Sequence, residues 1–193
     1  MYSEQSNYER NLGKNTANFV QLSPLSFLER TKDVYPHYVS VIYGNRTYTW
    51  NETYNRCLRF ADALNKHDIG FGDTVSIMAA NTPEIFEAHY SVPMAGAVLN
   101  TINTRIESET ITYILKHADS KVFIVDTQFS HVVKKALMKF KKEVLVIDIE
   151  DPNAKLQEGA GEHLGKYTYE EFLEKGDIDY QWKKPKDEWI LSH

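Results

Sequence analysis

Four runs of consecutive apolar residues, TVSIM (74–78), AVLN (97–100), KVFIVD (121–126) and EVLVIDI (143–149), recur along the chain with amphipathic stretches between them. A strand apolar on both faces must be covered on both faces, and helices alternating with such strands supply the cover. The pattern therefore predicts an α/β architecture: a largely parallel sheet flanked by helices and joined by right-handed crossovers. One intervening helix begins near Glu107 and turns Ile111, Ile114, Leu115 and Ala118 to one side. The next carries Phe129, Val132, Val133, Ala136, Leu137 and Phe140 at the same spacing.

Upstream, Ser23-Pro24 fits an N-cap followed by proline at the first helical position, so a helix should run over LSFLERTKDVY and stop at Pro36. SVIY and RTYTW flank Gly44-Asn45, which suits a tight β-hairpin. Asn51 is placed to cap a helix running to about His67, and Gly70 to Asp73 break it. Thr82-Pro83-Glu84 repeats the cap-then-proline signal.

After Ile149 the chain turns polar and loses periodicity until Thr168 and Glu171, which form a capping box for a short helix closed by Gly176. The organisation expected is an N-terminal arm over 1–21, an α/β portion over 22–149, and a loop, short helix and truncated linker over 150–193. The last stretch carries Trp182, Trp189 and Ile190-Leu191, an apolar content that belongs against a surface.

A chain of 193 residues with 42% apolar and 25% charged residues can bury a real core, about 70% of its unfolded surface. The formal charge of −5 argues against nucleic-acid or anionic-membrane binding, and no run of apolar residues has membrane-span length. The cytoplasm is the default expectation. The single cysteine, Cys57, shares an apolar helix face with Tyr54, Leu58, Ala61 and Leu64 and reads as a buried structural thiol.

Several motifs dissolve on inspection. Gly159-Ala160-Gly161 with Gly165 lacks the preceding strand and following helix that a dinucleotide loop needs, and Gly165-Lys166 is followed by Tyr167 where a phosphate loop requires Ser or Thr. The seven histidines show no ligand spacing, so no metal site is expected. His89 reads as a hydrogen-bonded core histidine. Asp126 ends its strand where a phosphoacceptor would sit, but the acidic pair that holds magnesium in such a domain is missing.

Arg105 is the candidate site residue. It follows AVLN at the carboxyl edge of a parallel sheet, where ligands of such sheets bind, and guanidinium matches phosphate. An exposed arginine with no ligand is the rival reading.

The runs PLSFLERTKDVYPHYVSVIYGNRTYTWNETYNRCLRFADAL (24–64) and DIGFGDTVSIMAANTPEIFEAHYSVPMAGAVLNTINTRIESETITYILKHADSKVFIVD (68–126) resemble the front part of AMP-forming acyl-CoA synthetases. The resemblance is close from about Leu22 to Asp148, and Lys183 to Trp189 resembles the linker toward the family's nucleotide loop. It is nearest to the subgroup that activates short- and medium-chain fatty acids and methylthio-substituted propionates.

The resemblance implies the front part of the N-terminal domain of adenylate-forming enzymes, and a two-step reaction. A carboxylate attacks ATP to give an acyl-adenylate and pyrophosphate, and the thiol of coenzyme A then displaces AMP. It implies ATP, Mg2+ and coenzyme A for the complete enzyme, with the carboxylic acid as substrate. It also places the turn Asn103-Thr104-Arg105 near the nucleotide end of coenzyme A, with Thr104 where the family has proline.

No loop of the Thr-Ser-Gly-Thr-Thr-Gly type occurs in the sequence. The expectation is an N-terminal fragment, inactive alone, with no catalytic residue of its own, binding no cofactor tightly by itself and prone to self-association through exposed edges. The alternative is a stand-alone α/β binding or interaction module.

Overall fold

The computed structural model describes Gly13, Asn15, Ala17 and residues 19–154 and 158–186. Helix α1 (Pro24–Val34) begins where Ser23 accepts a hydrogen bond from the Leu25 N–H, with Pro24 at its first turn. Strands β1 (Val39–Tyr43) and β2 (Arg46–Thr49) form the expected antiparallel hairpin around Gly44-Asn45.

Helix α2 (Trp50–Lys66) corrects the expected cap. Thr49, not Asn51, is the N-cap, and it forms a reciprocal capping box with Glu52, whose carboxylate accepts from the Thr49 N–H at 2.7 Å. Asn51 already lies in the first turn, because a Thr-x-x-Glu pair satisfies two orphan donors where a lone asparagine satisfies one.

From β3 (Thr74–Met78) onward the alternation is regular: α3 (Pro83–Met94), β4 (Val98–Thr101), α4 (Ser108–His117), β5 (Ser120–Asp126), a short 3-10 turn, α5 (Ser130–Lys139) and β6 (Leu145–Ile149). A two-residue strand, β7 (Tyr167–Thr168), leads into α6 (Tyr169–Leu173). The five strands β3 to β7 are all parallel and run in the order β4-β3-β5-β6-β7.

One face of the sheet packs Val75, Ile77, Leu99, Val122, Ile124 and Ile147 against α1, α2, α3 and α6. The other packs Met78, Phe123, Val125 and Val146 against α4 and α5. Consecutive residues of each central strand therefore serve opposite cores, which is why those strands read as uninterrupted apolar runs.

The region after β6 is more structured than its polar sequence implies. Thr168 and Glu171 form the expected capping box, and α6 lies on α2, with Tyr169 stacked on Phe60 at 4.7 Å between ring centroids. Arg56 of α2 ties it down, donating to both carboxylate oxygens of Glu170 at 2.9 and 2.7 Å and to Glu87 of α3 at 2.6 Å. Tyr169 completes the cluster by donating to the other oxygen of Glu87 at 3.0 Å.

Gly176 then passes so close to α2 that a Cβ there would lie 1.8 Å from the Arg59 carbonyl oxygen, so no larger residue fits. The following segment lies along the helices. Trp182 donates to the Tyr54 hydroxyl, and Tyr180 and Trp182 pack on the first core, as the aromatic tail predicts. Trp189, Ile190 and Leu191 lie outside the described residues.

Candidate functional site

Of the residues singled out in the sequence, Asp126 and Arg105 lie at the carboxyl edge of the sheet, and most of the others are engaged in holding the fold. Asp126, at the end of β5, is fully buried. It accepts from the Gln128 N–H at 3.0 Å, the Gln128 side-chain amide at 2.7 Å and the Ala80 N–H at 3.4 Å. Burial pushes its carboxyl above the usual carboxylate range, against those bonds. It ties the ends of β3 and β5 together.

Asp148, on β6, does similar work for the glycine loop. Its carboxylate accepts from the Leu164 N–H at 3.0 Å and the Gly165 N–H at 2.7 Å. A Cβ at Gly165 would sit 2.5 Å from the Val146 carbonyl oxygen, so this glycine is there for close approach to β6. That accounts for it without a phosphate ligand.

Cys57 is fully buried, with its thiol directed at the Glu87 carbonyl, and burial raises its pKa well above the ordinary value. It is structural, as its helix face implies. His89 is a correction: it is exposed on α3, its Nδ1 bonded to the Ile85 carbonyl at 2.7 Å. Ala88 and Val92 take the buried side of that helix, and His89 falls on the opposite one.

The hairpin covers the neighbouring part of the carboxyl edge. Tyr43 donates to Asp151 at 2.7 Å, and burial, reinforced by that bond, pushes its hydroxyl up to about 12. Arg46 reaches the buried Glu84 at 2.5 Å.

Arg105 stands apart from these. β4 ends at Thr101, the Ile102 N–H makes one more bond to Ile77, and Asn103 closes a turn by accepting from the Arg105 N–H at 2.8 Å. The turn leaves Arg105 exposed on the rim of a groove of ≈ 690 Å³ between the start of α4 and the face of α5. Lys135, Lys139 and His131 line the opposite wall.

Lys139 is paired with Glu109, whose carboxyl the bond holds down to about 2. Among the described residues Arg105 and Lys135 have no ion-pair partner, and His131 Nδ1 is buried without a hydrogen-bond partner. Helix α4 adds its N-terminal N–H groups: its cap residue, Glu107, makes no side-chain capping bond. Glu107 and Glu109 line the same cleft, and Arg105, Lys135 and the helix N-terminus give it the groups that suit a phosphate.

Sequence reasoning found Arg105 and missed the opposite wall. The signal was available, because His131, Lys135 and Lys139 recur at intervals of four and so share one helix face. Among the described residues no group of three or more His, Cys, Asp or Glu side chains is arranged to hold a metal ion. No described helix is long and apolar enough to cross a membrane.

Comparison with known proteins agrees with the architecture. Residues 28–187 match the family model described as AMP-binding enzyme. The chain is 44% identical over 187 residues to the acetate-CoA ligase CCL3 of Humulus lupulus, covering 92% of this chain and 33% of the relative. It is 42% identical over 186 residues to the acetate/butyrate-CoA ligase AAE7, peroxisomal, of Arabidopsis thaliana, with the same coverage of 92% and 33%.

The chain thus spans about a third of the length of the curated relatives it matches. Among solved structures, an anthranilate CoA ligase in complex with anthranoyl-AMP superposes with a TM-score of 0.77 at 18% identity, over 87% of this chain and 31% of that one. That likeness bears on the fold: the α/β arrangement is shared with that ligase.

Proposed function

The chain belongs to the AMP-binding enzyme family, and from that premise we propose that it forms the N-terminal part of an ATP-dependent carboxylate-CoA ligase. In this reading the groove at Arg105 receives a phosphate from the nucleotide end of coenzyme A. One observation carries the assignment: Arg105 and Lys135, both without an ion-pair partner among the described residues, face each other across a cleft at the carboxyl edge of the parallel sheet.

The overall reaction converts a carboxylate, ATP and coenzyme A into an acyl thioester, AMP and pyrophosphate. A carboxylate anion is a poor electrophile, and its adenylate carries the leaving group that thiol attack needs. The described residues of this chain contribute binding and orientation to the second step. Arg105 donates to a phosphate oxygen, Lys135 supplies a point charge across the cleft, and the α4 N-terminus adds a partial positive charge. Among the described residues no cluster of His, Cys, Asp or Glu side chains fits a magnesium ion, and these residues act on the coenzyme phosphate alone.

The relatives named for acetate and butyrate favour a short aliphatic acid as the acyl donor. The groups that handle triphosphate in this reading are not supplied by this stretch of chain, so the 193 residues alone should release no pyrophosphate from ATP and acetate. Several relatives, AAE7 of Arabidopsis thaliana among them, are named peroxisomal. We place this chain in the cytoplasm, and cell fractionation that finds it in peroxisomes would overturn that placement.

The coenzyme reading is tested by titrating the chain with coenzyme A and with its 3′-dephospho form by calorimetry, at low and at high salt. Arg105→Ala and Lys135→Ala should each weaken coenzyme A binding about five- to tenfold at low salt, and less at high salt. Unchanged affinity in both variants would remove the groove from the account.

A further inference from the structure

The hairpin is a sheet of its own, in which β1 pairs with β2 and with no other described strand. The second edge of β1 therefore carries main-chain N–H and C=O groups that join no ladder among the described residues. Such an edge is a template for one more strand.

That edge looks into a cleft of ≈ 470 Å³. Ser40, Val41, Ile42 and Tyr43 line one wall, and the start and outer face of α3, with Thr82, Ile85 and Phe86, line the other. Successive side chains of a strand point to opposite faces, so four consecutive residues meet one cleft only along the edge of the strand.

The cleft ends on an unfinished helix N-terminus. Thr82 is the N-cap of α3 but makes no side-chain capping bond. The residue is 3% exposed, and its hydroxyl is buried with no hydrogen-bond partner among the described residues. Pro83 has no N–H, so the first-turn amides left without a carbonyl are those of Glu84 and Ile85. The carboxylate of Glu84 is turned to Arg46, which matches its charge. A hydroxyl and two amides at the positive end of a helix suit a carboxylate.

The walls beside this end are apolar. Ile42 is 74% exposed, and Phe86 is shared with a second cleft of ≈ 440 Å³ lined by Leu25, Tyr90, Pro93 and Leu99. A chain laid along β1 with its end at Thr82 finds room there for one large apolar side chain.

We infer that the cleft between β1 and α3 binds the free carboxyl end of an extended peptide whose last residue is large and apolar. The peptide main chain pairs with β1, its carboxylate accepts from Thr82 and the α3 amides, and its last side chain covers Phe86. A free chain end supplies both a strand for the edge and an anion for the helix, whereas a small anion supplies only the second. The cleft shares no lining residue with the Arg105 groove, so it stands apart from the coenzyme reading.

Fluorescence polarisation with the 193-residue chain tests it. The probe is the peptide Thr-Val-Thr-Val-Leu with a free carboxylate, labelled with fluorescein at its amino end. It is compared with its C-terminal amide and with a form N-methylated throughout, which cannot donate to β1. The free acid should bind at least about tenfold tighter than either. Thr82→Val, which keeps the side-chain shape and removes the hydroxyl, should weaken the free acid about three- to tenfold and leave the amide unchanged. Equal affinity of acid and amide overturns the proposal, as does the lack of saturable binding of the acid up to about 1 mM.

Amide chemical-shift mapping uses the unaltered chain and does not depend on how the variant folds. The free acid should move the amides of residues 40–43 and 84–86 and leave those of 104–109 in place. Shifts confined to other residues would contradict the inference. Shifts at 40–43 that grow with protein concentration in the absence of peptide would put a second copy on the edge and overturn it too.

Discussion

Arg56 and Arg105 are the same residue type put to opposite uses. Arg56 is almost fully enclosed, its side chain 15% exposed, and it is shared between the buried Glu87 and the outer Glu170, with the Tyr48 ring stacked beneath it at 4.9 Å. Arg105 is exposed, held by a turn rather than by partners, and faces a second unpaired cation. A guanidinium whose donors are consumed by carboxylates fixes helices to one another, whereas one that makes no ion pair among the described residues, although Glu107 and Glu109 line the same groove, keeps its donors for an anion. The difference lies in what neighbouring elements bring to each residue and not in the residue itself.

The contrast can be broken at its strong end first. Arg56→Ala should cost about 3–5 kcal/mol in chemical denaturation at pH 8, where Glu87 of the parent is ionised, because the buried carboxylate loses its compensating charge and Glu170 loses its bidentate partner. A loss below about 1 kcal/mol would mean the cluster is not what holds α6 on α2. Next, Gly176→Ala should cost about 2–3 kcal/mol, since the new methyl meets the Arg59 backbone and not a side chain that can move aside. A thermal midpoint unchanged from the parent would show that the segment after α6 is not docked as described.

Glu87 sharpens the comparison through pH. Burial raises its pKa from 4.5 to about 7, against the pull of Arg56. The folded state therefore keeps a proton that the unfolded chain has released, so stability should fall as pH rises from about 4.5 to about 7, by an amount on the order of 1–3 kcal/mol. Glu87→Gln should flatten that dependence, and thermal melts at pH 5 and pH 8 measure it. A parent protein that gains stability over this interval, by an increment that Glu87→Gln removes, would reverse the assignment.

The smallest effect on stability is expected at the other arginine: Arg105→Ala should shift folding by no more than about 0.5 kcal/mol.

Much of this was legible in the sequence. TVSIM was read as a strand from its apolar run and its flanking breakers, and β3 has the same bounds. The Thr168 capping box was read from the spacing of two residues and is present. What could not be read depended on distant partners. Strand β7 is two residues long and exists because Tyr167 and Thr168 pair with Ile147 and Asp148, a register no local pattern encodes. The apolar average of its helix points His89 to the core, but its own direction on that helix is outward.

The same holds for the candidate site. Arg105 could be found because it follows a recognisable strand, and its neighbours Lys135 and His131 could not be joined to it without knowing that α5 packs against α4. Their spacing of four residues marked a shared face and left open what that face looks at. Arg56 gave no sequence signal of its role, since its partners lie 31 and 114 positions away.

Amide chemical-shift mapping of the chain titrated with coenzyme A, compared with the 3′-dephospho form, is the most direct test of the central claim. The account predicts perturbations centred on residues 104–109 and 131–139, stronger for coenzyme A and lost in Arg105→Ala. Perturbations that map elsewhere, or that survive in Arg105→Ala with equal size, would contradict it.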